Sequence, residues 1–251
     1  MIRRIENRME VAGTPEEVWE LIATGPGIET WFVPAEVEPR VGGRVAIDIG
    51  NGMDDCGTVS AWEPPRRFAY DEEWDDGTGL ASEFLVEAQS GGTCVVRIVS
   101  TLRAESGDWD QLLDDLRSGW DGYLLILRLY CAHFAGRPVT TIFAGADSTD
   151  TPPAAFEELL VALGIERATV RERVHSTDGP RLAGVVEHRG ARELIMRIDE
   201  PAPGIALLSA DSMGAHVRAA VHLYLYDPVE DGEAERWDEW MATLARLEID
   251  A

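Results

Sequence analysis

Cysteine is scarce in this sequence: three residues in 251, Cys56, Cys94 and Cys131. Their odd number and wide spacing, with no CxxC and no Cys/His spacing that suggests zinc, exclude a disulfide framework and a zinc site. Positive charge is scarce as well, with 22 basic residues against 46 acidic and a net charge of −24. Phosphate backbones and anionic lipid surfaces are bound by Lys/Arg neutralisation, so nucleic acid is excluded as a partner class. Arg3/Arg4 and Arg66/Arg67 are pairs, not patches. The acidic field reads either as a solubilising surface or as a face for a basic protein partner. Long apolar runs are missing too. The longest, Tyr123 to Leu127, is far short of a membrane span, so no membrane insertion is expected. The opening MIRRIENRMEV lacks the apolar segment of a signal peptide, which makes the cytoplasm the expected compartment. Phosphate cradles and nucleophile elbows are also absent. Gly42-Gly43 and Gly91-Gly92 are turn pairs, and no GxGxxG, GxxxxGKS or GxSxG occurs. Nucleotide chemistry and elbow-type serine hydrolysis are thereby excluded, and no cofactor is expected.

What remains is a globular chain, 45% hydrophobic and long enough for two domains. Ile2 to Ala12 reads as a strand. Thr14-Pro15-Glu16-Glu17 then opens a helix: Thr caps, Pro suits the first turn, and the acids complement the helix dipole. That helix runs to about Ala23 with Val18, Trp19 and Ile22 inward. Gly25-Pro26-Gly27 breaks it, and a short helix is expected around Ile28 to Phe32. Strands follow at Arg44–Ile49, with Val45, Ile47 and Ile49 on one face, and at Gly57–Trp62, Arg67–Trp74, Ser82–Ala88 and Thr93–Leu102. Pro64-Pro65, Asp75-Asp76-Gly77 and Ser90-Gly91-Gly92 punctuate them. Short alternating strands joined by turns imply an antiparallel sheet. The period then changes. From Gly107 to Phe134, Trp109, Leu112, Leu113, Leu116, Trp120, Tyr123, Leu124, Leu127, Cys131 and Phe134 recur at helical spacing. This helix, about 40 Å long, is enough to cross a sheet. Gly136-Arg137-Pro138 ends it and sets the domain boundary, giving domains at 1–136 and 137–251.

The second half repeats the order in degenerate form, an unrelated α+β module being the alternative. A strand at Val139–Gly145 precedes Thr151-Pro152-Pro153-Ala154, which parallels the Thr14-Pro15 opening. Strands are expected at Ala168–His175, Leu182–Glu187, Glu193–Ile198, Gly204–Ser209 and His216–Tyr226. A closing helix, about Ala234 to Leu247, carries Trp237, Trp240, Met241 and Leu244 on one face.

The segments TPEEVWELIATGPGIETWF (14–32), VGGRVAIDIG (41–50), GTVSAWEPPRRFAYDEEW (57–74) and SGWDGYLLILRLY (118–130) together resemble the START-like helix-grip (SRPBCC) superfamily. Within it they are most similar to the family related to the activator of the ninety-kilodalton heat-shock-protein ATPase. The resemblance covers about residues 1–136. It implies an α+β fold in which a curved antiparallel sheet grips a long C-terminal helix over a cavity. It also implies relatives that include co-chaperones, polyketide cyclases and binders of lipids or aromatic ligands. It supplies no catalytic set, and a tandem arrangement departs from most bacterial members, which are single domains.

The residues themselves favour binding over catalysis. Aromatics concentrate in the first domain, and alternation puts Phe68, Tyr70 and Phe84 on the sheet face that meets the long helix, opposite Trp120 and Tyr123. These five are the candidate ligand-binding residues, with plain core packing as the bland reading. His216 and His222 lie six apart and share a strand face, but surface or core roles are expected for them. His133 suits the C-terminal end of the long helix. The acidic runs Asp54-Asp55, Asp71-Glu72-Glu73 with Asp75-Asp76, and Asp114-Asp115 read as solvated loop or helix positions, so no metal site is expected. Three functions stay open: non-enzymatic capture of a small apolar or aromatic ligand, a co-chaperone-like module docking a basic protein, and a polyketide cyclase or aromatase. The last needs a buried acid/base pair that the first domain does not display.

Overall fold

In a computed structural model the described residues are 2–48, 54–73, 78–103, 109–213 and 216–247, without the side chains of 54–56, 109–112, 114–115, 213 and 245–247. The expected turn at Asp75-Asp76-Gly77, the strand ends at Ile49 and Trp74, the helix start at Gly107 and the side chains of Trp109 and Leu112 lie outside them. The chain divides into two compact units, Met1–Ala135 and Gly136–Ala251.

In the first unit β1 (Ile2–Ala12) leads into α1 (Pro15–Ala23). Thr14 forms a full capping box: its hydroxyl accepts from Glu17 N at 3.3 Å while Glu17 Oε2 accepts from Thr14 N at 2.8 Å. The second helix starts earlier than the expected Ile28. Thr24 Oγ1 accepts from Gly27 N at 3.1 Å, so Thr24 caps a new helix, α2 (Gly25–Glu29), and Gly25-Pro26-Gly27 forms its first turn. Proline is compatible with that turn because its missing N–H has no helical partner there. A short strand that the sequence did not announce, β2 (Ala35–Val37), follows Pro34 and pairs with β3 (Arg44–Ile47).

The meander continues through β4 (Asp54–Glu63), β5 (Arg67–Glu73), β6 (Gly79–Ala88) and β7 (Thr93–Arg103). All pairings are antiparallel, and β7 returns beside β1, giving the order β1-β7-β6-β5-β4-β3-β2. Val45 and Ile47 keep the expected two-residue spacing in the regular β2–β3 pairing, one buried and one half-buried. The register against β4 shifts between Val45 and Ala46, with Cys56 of β4 as the extra residue, and Ala46 is buried as well. Asp54-Asp55, expected in a loop, begins β4, and Asp71-Glu72-Glu73 ends β5 within the strand expected at Arg67–Trp74. At the β6–β7 turn Gly91 and Gly92 have φ of 91° and 80°, a left-handed pair that a side chain would disfavour.

The long helix α3 (Trp109–His133) closes the unit, with 25 residues spanning about 37 Å. It runs closest to β1. Leu124 and Leu127 are fully buried on the expected stripe, and so is Ile126, with Leu129 and Tyr130 nearly so. The expected single stripe is too narrow: Leu124–Leu127 is apolar around the whole helix, and such a stretch is buried on more than one side.

The second unit repeats the plan with one strand fewer. It runs β8 (Thr140–Ser148), α4 (Pro152–Leu163), β9 (Arg173–His175), β10 (Ala183–Arg189), β11 (Glu193–Glu200), β12 (Gly204–Met213), β13 (His216–Leu225) and α5 (Glu233–Leu247). The sheet order is β8-β13-β12-β11-β10-β9, so the first and last strands again pair and a helix again closes the unit. The copy is degenerate at its helix start. Thr151 makes no side-chain cap, and Ala154, standing where Glu17 completes the box in α1, cannot supply the reciprocal carboxylate. The strand expected over Ala168–His175 shrinks to Arg173–His175, since Arg171 takes a left-handed φ of 72° and interrupts extension. Trp237 and Met241 are fully buried against the helix-bearing side of the sheet, and Trp240 and Leu244 pack at the margin.

Candidate functional site

Strand alternation and the register place three rows of side chains on the α3-facing side of the first sheet. One row is Phe68–Phe84–Ile98–Asn7, the next Tyr70–Ser82–Ser100–Ile5, the third Glu72–Leu80–Leu102–Arg3. The sequence-selected aromatics meet there. Phe68 stacks on Phe84 at 5.8 Å between centroids, and Tyr70 stacks on Phe84 at 6.3 Å. Phe84 meets Trp120 edge-on at 5.7 Å, and Trp120 lies 6.5 Å from Tyr123. All five rings therefore belong to one contact chain. Phe68, Tyr70, Phe84 and Trp120 are buried, while Tyr123 is half-buried.

Phe32 closes the cluster, at 4.5 Å from Tyr123 and 5.2 Å from Trp120. Sequence reasoning passed it over because it follows a short helix whose orientation only packing sets. Trp62 extends the chain from Phe68 at 5.7 Å to Trp19 of α1 at 5.1 Å. Gly57 makes Tyr70's position possible. A Cβ there would lie 3.1 Å from the Tyr70 ring and 2.6 Å from the Asp71 carbonyl.

Polar groups on the same face were not selected from the sequence. Trp120 Nε1 donates to Ser100 Oγ at 3.2 Å. Asn7 Nδ2 donates to Asp121 Oδ1 at 2.7 Å and to the Arg117 carbonyl at 2.9 Å, tying β1 to α3. Asn7 Oδ1 and Ser82 Oγ are buried and, among the described residues, have no partner. Glu72, two residues beyond Tyr70, is half-buried, and burial pushes its carboxyl up to about 7 from an ordinary 4.5. The acidic run at 71–73 therefore differs from the solvated cluster expected: alternation turns its middle member inward. An acid continuing the inward series Phe68, Tyr70 was the legible signal.

In the second unit His222 is buried and His216 exposed, so no histidine pair forms. The His222 ring lies 4.2 Å from that of Tyr224, whose hydroxyl is 3.0 Å from Nδ1, and burial holds the imidazole down to about 4. His188 Nε2 meets Glu193 Oε1 at 3.0 Å across the β10–β11 turn, and burial raises the Glu193 carboxyl. A cavity of about 640 Å³ opens among Ala146, Ala155, Leu159, Ala162, Ala219 and Leu244, with Asp147, Asp150 and Glu157 at its margin. Burial pushes the Cys131 thiol up to about 12, which removes it as a nucleophile at neutral pH. Among the described residues, no group of three or more His, Cys, Asp or Glu could hold a metal, and no helix is long and apolar enough to cross a membrane.

Residues 12–131 match the model of the family described as Activator of Hsp90 ATPase homolog 1-like protein. Among solved structures the chain is similar to CalU16 from Micromonospora echinospora, with 23% identity over 53% of this chain and 78% of that one, at a TM-score of 0.43. It is also similar to DynU16, a putative protein in the dynemicin biosynthetic locus, with 15% identity over 98% of this chain and 97% of that one, at a TM-score of 0.46. The di-domain ARO/CYC protein BexL from the BE-7585A biosynthetic pathway shares 14% identity over 99% of this chain and 94% of that one, at a TM-score of 0.47. No curated protein matches the chain. These structural likenesses carry no argument about activity. Residues 12–131 are thus similar to the Activator of Hsp90 ATPase homolog 1-like family, and the antiparallel sheet closed by a long helix agrees with the helix-grip fold.

Proposed function

We propose that the protein captures a small hydrophobic or aromatic molecule between the first sheet and α3, acting as a carrier or sensor and not as an enzyme. The observation that carries this reading is the continuous aromatic face formed by Phe68, Tyr70, Phe84, Trp120 and Tyr123. Flat rings arranged edge-on and stacked offer an incoming aromatic the geometries that ring pairs prefer. Apolar burial supplies the driving force, about 25 cal/mol per Å² before ordering costs. Native mass spectrometry and calorimetry across a panel of lipids and aromatic polyketides test it. A retained, stoichiometric ligand is the expected result, and no binding anywhere in the panel refutes it.

A second reading is favoured by the family description and by the net charge of −24: a co-chaperone-like module that docks a basic protein surface in the cytoplasm. Association steered by charge weakens steeply with salt. Pull-down of a basic ATPase domain that survives high salt unchanged would count against it.

A further inference from the structure

The cavity of about 640 Å³ lies wholly within the second unit, at the corner where α4, the β8–β13 edge and Leu244 of α5 meet. Among the described residues, β9 to β12 contribute nothing to its wall. Trp120-Asp121-Gly122-Tyr123 of α3 recurs in α5 as Trp237-Asp238-Glu239-Trp240, so Trp237 stands where Trp120 does. Trp237 is fully buried and does not line the cavity, which therefore sits apart from the middle of the sheet.

The doubled plan shows why this corner is open. Counted from the helix openings at Thr14 and Thr151, Met9 matches Ala146 and Val18 matches Ala155. Met9 pairs with Val96 across β1–β7, and Ala146 pairs with Ala219 across β8–β13. Three alanines thus stand where the first unit has a methionine and two valines, and those valines are fully buried. A smaller core side chain leaves a void unless its neighbours collapse inward, and here the void remains. Leu159, Ala162 and Leu244 complete the apolar wall, and Val161, 59% exposed, stands at its margin.

Every charged side chain on that wall is acidic: Asp147, Asp150, Glu157 and Glu158. Arg218 meets Asp147 at 3.4 Å and Arg189 meets Glu157 at 2.8 Å, and neither arginine lines the cavity. The Asp150 carboxylate has no partner among the described residues, while its backbone N–H donates to Ser148 Oγ at 3.0 Å. Apolar walls take up a hydrocarbon body, and a rim of carboxylates attracts a cationic head group and repels an anionic one.

We propose that this corner is a binding site for a small apolar cation, an alkyl amine whose chain fills the space left by the three alanines and whose ammonium group rests against Asp150. The site is separate from the aromatic face of the first unit and does not depend on it.

The test uses n-octylamine, 1-octanol and octanoate, which share an alkyl body and differ in head group, in ligand-observed NMR titrations of the full chain. Octylamine should bind about fivefold more tightly than octanol, and octanoate should bind most weakly. Asp150→Asn should reduce the octylamine preference to about twofold or less and leave octanol unchanged. Ala146→Met and Ala155→Val restore the first unit's residues and refill the corner without altering charge, so each should weaken octylamine by about tenfold. Thermal melts check folding, and Ala155→Val carries the test if Ala146→Met does not fold. Octylamine bound equally well by a folded, refilled variant would be adsorbed on the acidic surface, which overturns the proposal. Octanoate binding as tightly as octylamine, or no binding of octylamine, overturns it too. None of these results bears on capture by the first unit, whose aromatic residues all three variants leave intact.

Discussion

Replacing Trp120 with alanine removes the ring that joins the sheet to α3. The indole is 8% exposed and touches Phe32 at 5.2 Å, Phe84 at 5.7 Å and Tyr123 at 6.5 Å, and its N–H is given to Ser100. Truncating a buried Trp or Phe costs about 3–5 kcal/mol, the transfer term plus the cavity left behind. Loss of the bond to Ser100 is part of that cost, since its hydroxyl then joins Ser82 as a buried group in want of a partner. In a chain of this size each kcal/mol moves the melting temperature by about 2–4 °C, so the shift should be roughly 6–20 °C downward. Urea unfolding followed by tryptophan fluorescence, with circular dichroism as a second probe, gives the free energy directly. Tyr123→Ala, at a half-buried position on the rim of the same cluster, should cost less than half as much. Tyr123 is therefore the position at which ligand binding and folding can be separated, and Trp120 is not. A loss below about 1.5 kcal/mol for Trp120→Ala would refute the reasoning, because it would mean that the ring does not bridge the two layers.

Two further outcomes follow from the same contacts. Thr14→Ala should cost about 1 kcal/mol by removing a complete capping box, whereas Thr151→Ala should cost only a few tenths, since Thr151 makes no cap bond; thermal melts of both variants check this. Stability should also vary with pH in two opposed ways. Glu72 holds its proton more tightly when folded, so its contribution is complete below its ordinary 4.5 and lost as the pH rises through about 7. Neutral His222 contributes fully above its ordinary 6.5, and that contribution is lost as the pH falls towards about 4. Urea titrations from pH 4 to 8 should show Glu72→Gln abolishing the decline on the neutral side and His222→Phe abolishing that on the acid side. Profiles identical to the unaltered protein would contradict the burial of these groups.

Much of the fold was legible because it depends on short-range chemistry. The Thr14-Pro15-Glu16-Glu17 opening, the Gly91-Gly92 turn and the helical period from Trp109 to Phe134 each report a local backbone preference, and the structure contains the corresponding cap, turn and helix. Alternation likewise put Phe68, Tyr70 and Phe84 on one face. What was not legible depended on register and packing. The Val45/Ala46 bulge is a property of the β3–β4 pair and not of either strand alone. The α2 start at Gly25 was hidden because Gly-Pro-Gly reads as a breaker until Thr24 is seen to cap it.

Apart from β2, the sequence by itself determined the order of elements, and it determined the acidic surface, the doubled plan and the aromatic content, since these follow from residue type and spacing along the chain. Only the tertiary structure decided which aromatics touch, that Phe32 completes their cluster, and that Glu72 and Ser82 turn inward, the Ser82 hydroxyl without a partner among the described residues. The reason is physical. Solvation and hydrogen-bond satisfaction belong to a position in space, and residues as distant in sequence as Asn7 and Asp121 become neighbours only once the sheet and its closing helix meet.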